Sequence, residues 1–109
     1  MTPTRTYPCV FNRIVDGDTF VVTIDLGFNI TTVQTIRLAG VNAPEMNTPE
    51  GREARVAVVA WTVASPVVEI VGHASKDKYG RRLADLRNTD GVLLASWMLD
   101  NGWAKVMAG

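Results

Sequence analysis

Tyr7-Pro8-Cys9-Val10-Phe11-Asn12-Arg13-Ile14-Val15 and Thr19-Phe20-Val21-Val22-Thr23-Ile24-Asp25-Leu26 flank the short acidic segment Asp16-Gly17-Asp18. Both runs are rich in Val, Ile, Phe and Thr and partly alternate in polarity, so they read as two strands joined by a tight turn. Residues 32–39 read as a third strand, with Val33, Thr35 and Arg37 on one face and Gln34, Ile36 and Leu38 on the other. A turn around Gly27 and Asn29 separates the second strand from the third.

A helix follows. Thr48 is suited to the N-cap, Pro49 to the first helical position, and Glu50 and Glu53 to the positive end of the helix dipole. Pro66 sets the stop, so the helix is expected to end near Ala64. Residues 67–72 and 82–88 read as two further strands. A last helix is expected from near Asp90-Gly91 to Asn101-Gly102, a sequence that favours termination. The order β-β-β-α-β-β-α, five strands and two helices of an α+β chain, fits an OB-fold barrel.

The 109 residues suit one domain, 1–109, and the composition, 47% hydrophobic and 20% charged, is that of a globular chain. The single cysteine, Cys9, excludes an internal disulfide and is expected to be a buried, inert thiol. No run is long and apolar enough to span a bilayer, and Met1–Cys9 does not resemble a signal peptide. The chain as written is therefore expected to be cytoplasmic with no membrane partner, or secreted if a leader has been removed. The formal net charge of zero argues mildly against strong non-specific binding to nucleic acid. Locally, Lys76, Lys78, Arg81, Arg82 and Arg87 outnumber Asp77 and Asp85. A solvated loop and strand is the ordinary reading of such a stripe.

Three segments carry chemistry when read together. Asp16 and Asp18 stand two apart in an extended turn, so both carboxylates can face one site; hard oxygens in a turn suit Ca²⁺ or Mg²⁺. Taken alone, Asp-Gly-Asp is an ordinary turn. Arg37 is a charge inside a strand, and it is followed by Asn42, a neutral oxygen donor, and by Glu45 in a loop that Pro44 stiffens. Asp77-Lys78-Tyr79-Gly80-Arg81 adds a second arginine, whose fixed donors match phosphate. His73, the only histidine, reads as structural, and a zinc site is not expected.

In order and spacing these segments resemble the staphylococcal-type thermonucleases, the SNase-like calcium-dependent nucleases. The likeness runs from about Val10 to Met107. It takes in Asp16 to Thr19, Arg37 to Glu45, Thr48 to Ala54, Asp77 to Leu83 and Asn101 to Val106. The resemblance implies the barrel closure of the OB-fold. It also implies a nuclease that hydrolyses DNA or RNA, single-stranded or loosened, by a Ca²⁺-dependent route (Mn²⁺ or Mg²⁺ as alternatives) to 3′-phosphate products.

The same resemblance implies roles. Asp18, Asn42 and the main-chain carbonyl of Ala43 would hold the metal, with Asp16 and Thr19 behind them. Glu45 would be the general base, and Arg37 and Arg81 would bind the phosphate and stabilise its transition state. Lys78 and Tyr79 would contact the substrate. Three features depart from the best-known members. Asn42 replaces an aspartate, Ala108 stands where a base-stacking tyrosine is expected, and the sequence stops at Gly109 where a third helix would follow.

Both helices are also apolar on most sides. From Ala54 to Ala64 only Arg55 and Thr62 are polar, and from Val92 to Leu99 only Ser96. Two explanations stay open: a homodimer anchored by Trp61, Trp97 or Trp103, or tryptophans packed in the core. The rival to an enzyme is a non-cleaving SNase-like module that binds nucleic acid or protein. Retention of Arg37, Glu45 and Arg81 favours the enzyme.

Overall fold

The structure is a computed structural model; it describes residues 4–76 and 81–107, with side chains for 5–72 and 81–107. The chain order is β1 (Thr4–Asp16), β2 (Thr19–Gly27), β3 (Ile30–Leu38), β4 (Val41–Asn42), α1 (Pro49–Ala64), β5 (Val67–Lys76), β6 (Arg82–Asn88), α2 (Leu94–Asp100) and β7 (Lys105–Val106). Five strands close a barrel in the order β1-β2-β3-β6-β5, as the OB-type reading requires. All pairings in the barrel are antiparallel except β3 with β6.

The alternation read in β3 is real. Ile36 and Leu38 point into the barrel and are fully buried, while Val33 is 61% exposed on the outer face. Arg37 belongs to that outer face yet is only 7% exposed, because the β1–β2 turn and the segment after β3 pack over it. The interior is filled by Ile14, Phe20, Val22, Ile36, Leu38, Leu86, Leu94 and Met98, among others. Gly27 pairs with Ile30 across a two-residue hairpin, and Phe28 and Asn29 both take positive φ, 55° and 60°, as a type I′ turn demands.

Helix α1 starts as expected. Thr48 Oγ1 accepts the Gly51 N–H at 3.1 Å, and Pro49 lies in the first turn. Gly51 has a packing reason. A Cβ there would stand 1.8 Å from the Glu45 carbonyl oxygen, so the loop before α1 folds directly onto the helix. The helix buries Ala54, Val58 and Trp61 against the barrel and leaves Val56 and Val63 exposed. Trp61 is buried and packs on Trp97, with ring centroids 5.8 Å apart, and Trp103 lies against the same core. Trp61 is thus a core residue, while Trp97 and Trp103 are partly buried against that core.

Three differences from the sequence reading have physical causes. Helix α2 begins at Leu94, not near Asp90. Asn88 Oδ1 accepts the N–H groups of Asp90 and Val92, and its own N–H donates to the Val92 carbonyl, so 88–92 forms a closed turn. The helix is capped from outside itself: Asp85 Oδ1 on β6 accepts the Ala95 N–H at 3.1 Å. Strands β1 and β5 are longer than expected because they pair with each other from Thr4–His73 to Pro8–Glu69. Strands β4 and β7 form a separate two-stranded sheet with two residue pairs, too short to leave a periodic signal.

Cys9 is buried as expected, and burial, with the Glu69 charge adding to it, pushes its thiol up to about 11. Among the described residues no helix is long and apolar enough to cross a membrane.

The Gly51 contact yields a stability prediction. Gly51→Ala should lower the unfolding free energy by about 1–3 kcal/mol through overpacking. Urea denaturation measures it, and an unchanged midpoint would mean that the loop yields freely.

Candidate active site

The acidic turn, the end of β3 and the start of β4 meet at one end of the barrel. Gly17 makes the approach possible, since a Cβ on it would stand 2.7 Å from the Ala43 Cβ. Asp16 Oδ1 accepts the Asp18 N–H at 3.2 Å, which sets the turn. The Asp18 carbonyl accepts the Leu38 N–H at 2.8 Å and ties that turn to β3.

Asp18 is the hub. Its Oδ2 accepts the Ala43 N–H at 3.0 Å and the Arg37 Nη2–H at 3.3 Å, and its Oδ1 accepts the Thr19 hydroxyl at 3.3 Å. Arg37 donates from Nη1 to the Leu38 carbonyl at 2.9 Å and from Nη2 to Asn42 Oδ1 as well as to Asp18. Arg81 Nη1 donates to Thr19 Oγ1 at 3.1 Å. A continuous hydrogen-bonded series thus runs from Asn42 through Arg37, Asp18 and Thr19 to Arg81.

The structure therefore brings together Asp16, Asp18, Thr19, Arg37, Asn42, Ala43 and Arg81. Glu45 follows three residues after Asn42 on the same loop. Its carbonyl accepts the Thr48 N–H at 3.0 Å and the Thr48 hydroxyl at 2.6 Å, which fixes the backbone before α1. Its side chain is exposed, and among the described residues no hydrogen bond or ion pair joins its carboxylate to the cluster. Lys78, Tyr79 and Ala108 lie outside the described residues, as does the His73 side chain.

Sequence reasoning missed the Arg37–Asp18 ion pair, 3.3 Å long with both side chains largely buried. The signal was an arginine inside a strand, and only the tertiary approach of the turn supplies its partner.

The electrostatics of Asp18 are unusual. Burial of its carboxyl, reinforced by the hydrogen bond and negative charge of Asp16, pushes it above the ordinary aspartate value of 3.8. The Ala43 N–H and Arg37 oppose that rise without cancelling it. The site thus holds an acid that its surroundings do not fully compensate. Among the described residues no group of three or more His, Cys, Asp or Glu side chains is placed to hold a metal, and position 42 carries an amide.

A family model described as Staphylococcal nuclease homologue matches residues 35–108. The chain belongs to the staphylococcal nuclease homologue family. That membership accounts for the five-stranded barrel with two helices and for a nuclease-type fold. Comparison with curated proteins gives no match. The family match starts inside β3, so Arg37, Asn42, Glu45 and Arg81 fall within it and Asp16, Asp18 and Thr19 precede it. Hydrogen bonds, not the matched segment, connect those two groups.

The raised Asp18 acid gives a pH prediction with a definite sign. In the folded state Asp18 holds its proton to higher pH than in the unfolded chain. Its contribution to stability is therefore complete below 3.8 and is lost as pH rises through the folded value. Without divalent ions, the thermal midpoint of the native chain should fall relative to Asp18→Asn as pH rises from below 3.8 through the raised folded value. Circular dichroism melts measure it; a constant difference would show that Asp18 is not shifted.

Proposed function

We propose that this chain is a divalent-cation-dependent nuclease acting on single-stranded or loosened DNA or RNA. The observation that carries the reading is the hydrogen-bonded series that gathers Arg37 and Arg81 around Asp18 and Thr19. Two arginines held at one point suit a phosphodiester, whose transition state gathers charge on its non-bridging oxygens. Arg37 keeps Nε–H and a second Nη1–H for a phosphate after its contacts to Leu38, Asp18 and Asn42.

The donor set fits a hard cation. Asp18 is an under-compensated carboxylate, and Asn42 Oδ1 and the Ala43 carbonyl are neutral oxygens. With an amide at position 42 the site has less negative charge than an all-acid set, so Ca²⁺ is held weakly. Asp16 and Thr19 orient Asp18 from behind. When bound, the cation supplies positive charge against the phosphate oxygens.

The chain's own residues do the rest. Glu45, on the solvent side of the loop, takes a proton from the attacking water. The new O–P bond forms in line as the P–O5′ bond breaks; the departing O5′ takes a proton from solvent water, leaving a 3′-phosphate and a 5′-hydroxyl. Arg37 and Arg81 hold the phosphate throughout. Lys78 and Tyr79 contact the substrate's terminal phosphate or the neighbouring nucleotide.

A second reading has one observation in its favour. Arg37 already bridges Asp18 and Asn42, which suits a module that grips a phosphate without cutting it. Cleavage assays on single-stranded DNA and RNA with Ca²⁺, Mn²⁺ or Mg²⁺ separate the two. Glu45→Gln is the clean control, because Glu45 is exposed and uncoupled from the ion pair; it should lower turnover about 100-fold or more with an unchanged melt. Arg37→Ala is a poorer one, since it strips Asp18 of its buried partner and should also cost about 3 kcal/mol of stability. Binding without cleavage under every metal would establish the second reading.

A further inference from the structure

The barrel is open at one end, where all five of its strands line a cavity of about 450 Å³. It shares no lining residue with the Asp18–Arg37 cluster. On β3 the two lie on opposite faces, Ile36 toward the cavity and Arg37 toward the cluster. Its floor is apolar, formed in part by Ile24, Ile36 and Ile70.

Two arginines occupy positions where a barrel carries core residues. On β1 the inward series Cys9, Tyr7 is continued by Arg5, and on β6 the inward series Leu86, Ala84 is continued by Arg82. The ladder agrees. Arg5 pairs with Gly72, which pairs with Ala84, and Arg82 pairs with Ile36. Paired residues share a face, so both guanidinium groups belong to the inner side at the rim. The row across from Arg5 carries only the small residues Gly72 and Ala84, and that lack of side chains makes the room. Among the described residues neither guanidinium makes a hydrogen bond or an ion pair, and no carboxylate lines the cavity.

We infer that this cavity is a second binding site and that its ligand is a nucleotide, with the phosphate on Arg5 and Arg82 and the base over the isoleucine floor. The volume lies in the range of small-ligand pockets. Guanidinium forks match a phosphate bidentately. The wall also carries Tyr7 and Gln34, and Gln34 gives one amide hydrogen to Thr32 while its carbonyl stays an acceptor. Those groups suit the hydrogen-bonding edge of a base and would be left unpartnered by an acyl chain. The choice of a nucleotide over other anions with a flat apolar body rests on the nuclease reading. The cavity itself does not. The nucleotide has two sources, a free mononucleotide or the end of a strand.

The test is a titration of the methyl-labelled full chain, read at Ile24, Leu26 and Ile70, with thymidine 5′-monophosphate, thymidine, inorganic phosphate, decanoate and a short thymidine oligonucleotide as probes. Thymidine 5′-monophosphate should shift these methyls, and Arg5→Ala with Arg82→Ala should weaken its binding about tenfold or more. Shifts from the mononucleotide identify a free nucleotide; shifts from the oligonucleotide alone identify a strand end, and both support the site. Shifts confined to the neighbourhood of Arg37, shifts with decanoate but not with either nucleotide probe, or shifts reproduced in full by inorganic phosphate would each overturn it. Glu45→Gln should leave the methyl shifts intact, so failure of the nuclease reading and failure of the cavity site give different results.

Discussion

Three residue pairs, Ile36–Arg82, Arg37–Leu83 and Leu38–Ala84, join β3 to β6 in parallel and close the barrel. A parallel contact needs a long crossover, and here α1 and β5 supply it, so closure requires the helix to be in place. The pairing also sorts function by side. At one end of β6, neighbouring arginines take opposite directions: Arg81 reaches out to Thr19 and the acidic turn, and Arg82 lies on the inner side at the barrel mouth. A shift of that register by a single residue would exchange the two faces.

The ion pair between Arg37 and Asp18 sits on top of this frame. It is an internal counter-charge that binds the hairpin turn of β1–β2 to β3, and the Ala43 N–H on the same Asp18 oxygen ties in the segment that leads into α1. Arg37 also takes up the oxygen of Asn42. The guanidinium therefore occupies the approach to the same oxygens that a hard cation would seek. The raised Asp18 acid shows that one guanidinium and one peptide N–H do not offset burial and the nearby Asp16.

Much of the fold was legible in the chain. Thr48-Pro49 and Pro66 bound α1 because capping and proline chemistry are local, and the alternation of Ile36 and Leu38 against Val33 marked the inner face of β3. The early start given to α2 came from Asp90-Gly91, which looks like a helix entry. The Asn88 side chain overrides it, and the cap comes from Asp85 on another element, which no local pattern reveals. Strands β4 and β7 escaped because two pairs have no periodicity. The site was legible as a set of segments, since their spacing resembles a family. The burial of Arg37 and the detachment of the Glu45 carboxylate from the cluster were not, because both depend on how loops far apart in sequence settle on each other.

The contact between Gly17 and Ala43 carries a constraint on change. The two positions share room for one methyl group, and that methyl sits on Ala43. A side chain gained at Gly17 is compatible with this spacing only when one is given up at Ala43. The sizes of the two residues are thus coupled across the hairpin turn and the helix-entry loop, and relatives that keep this end of the barrel should vary there in opposite senses or not at all.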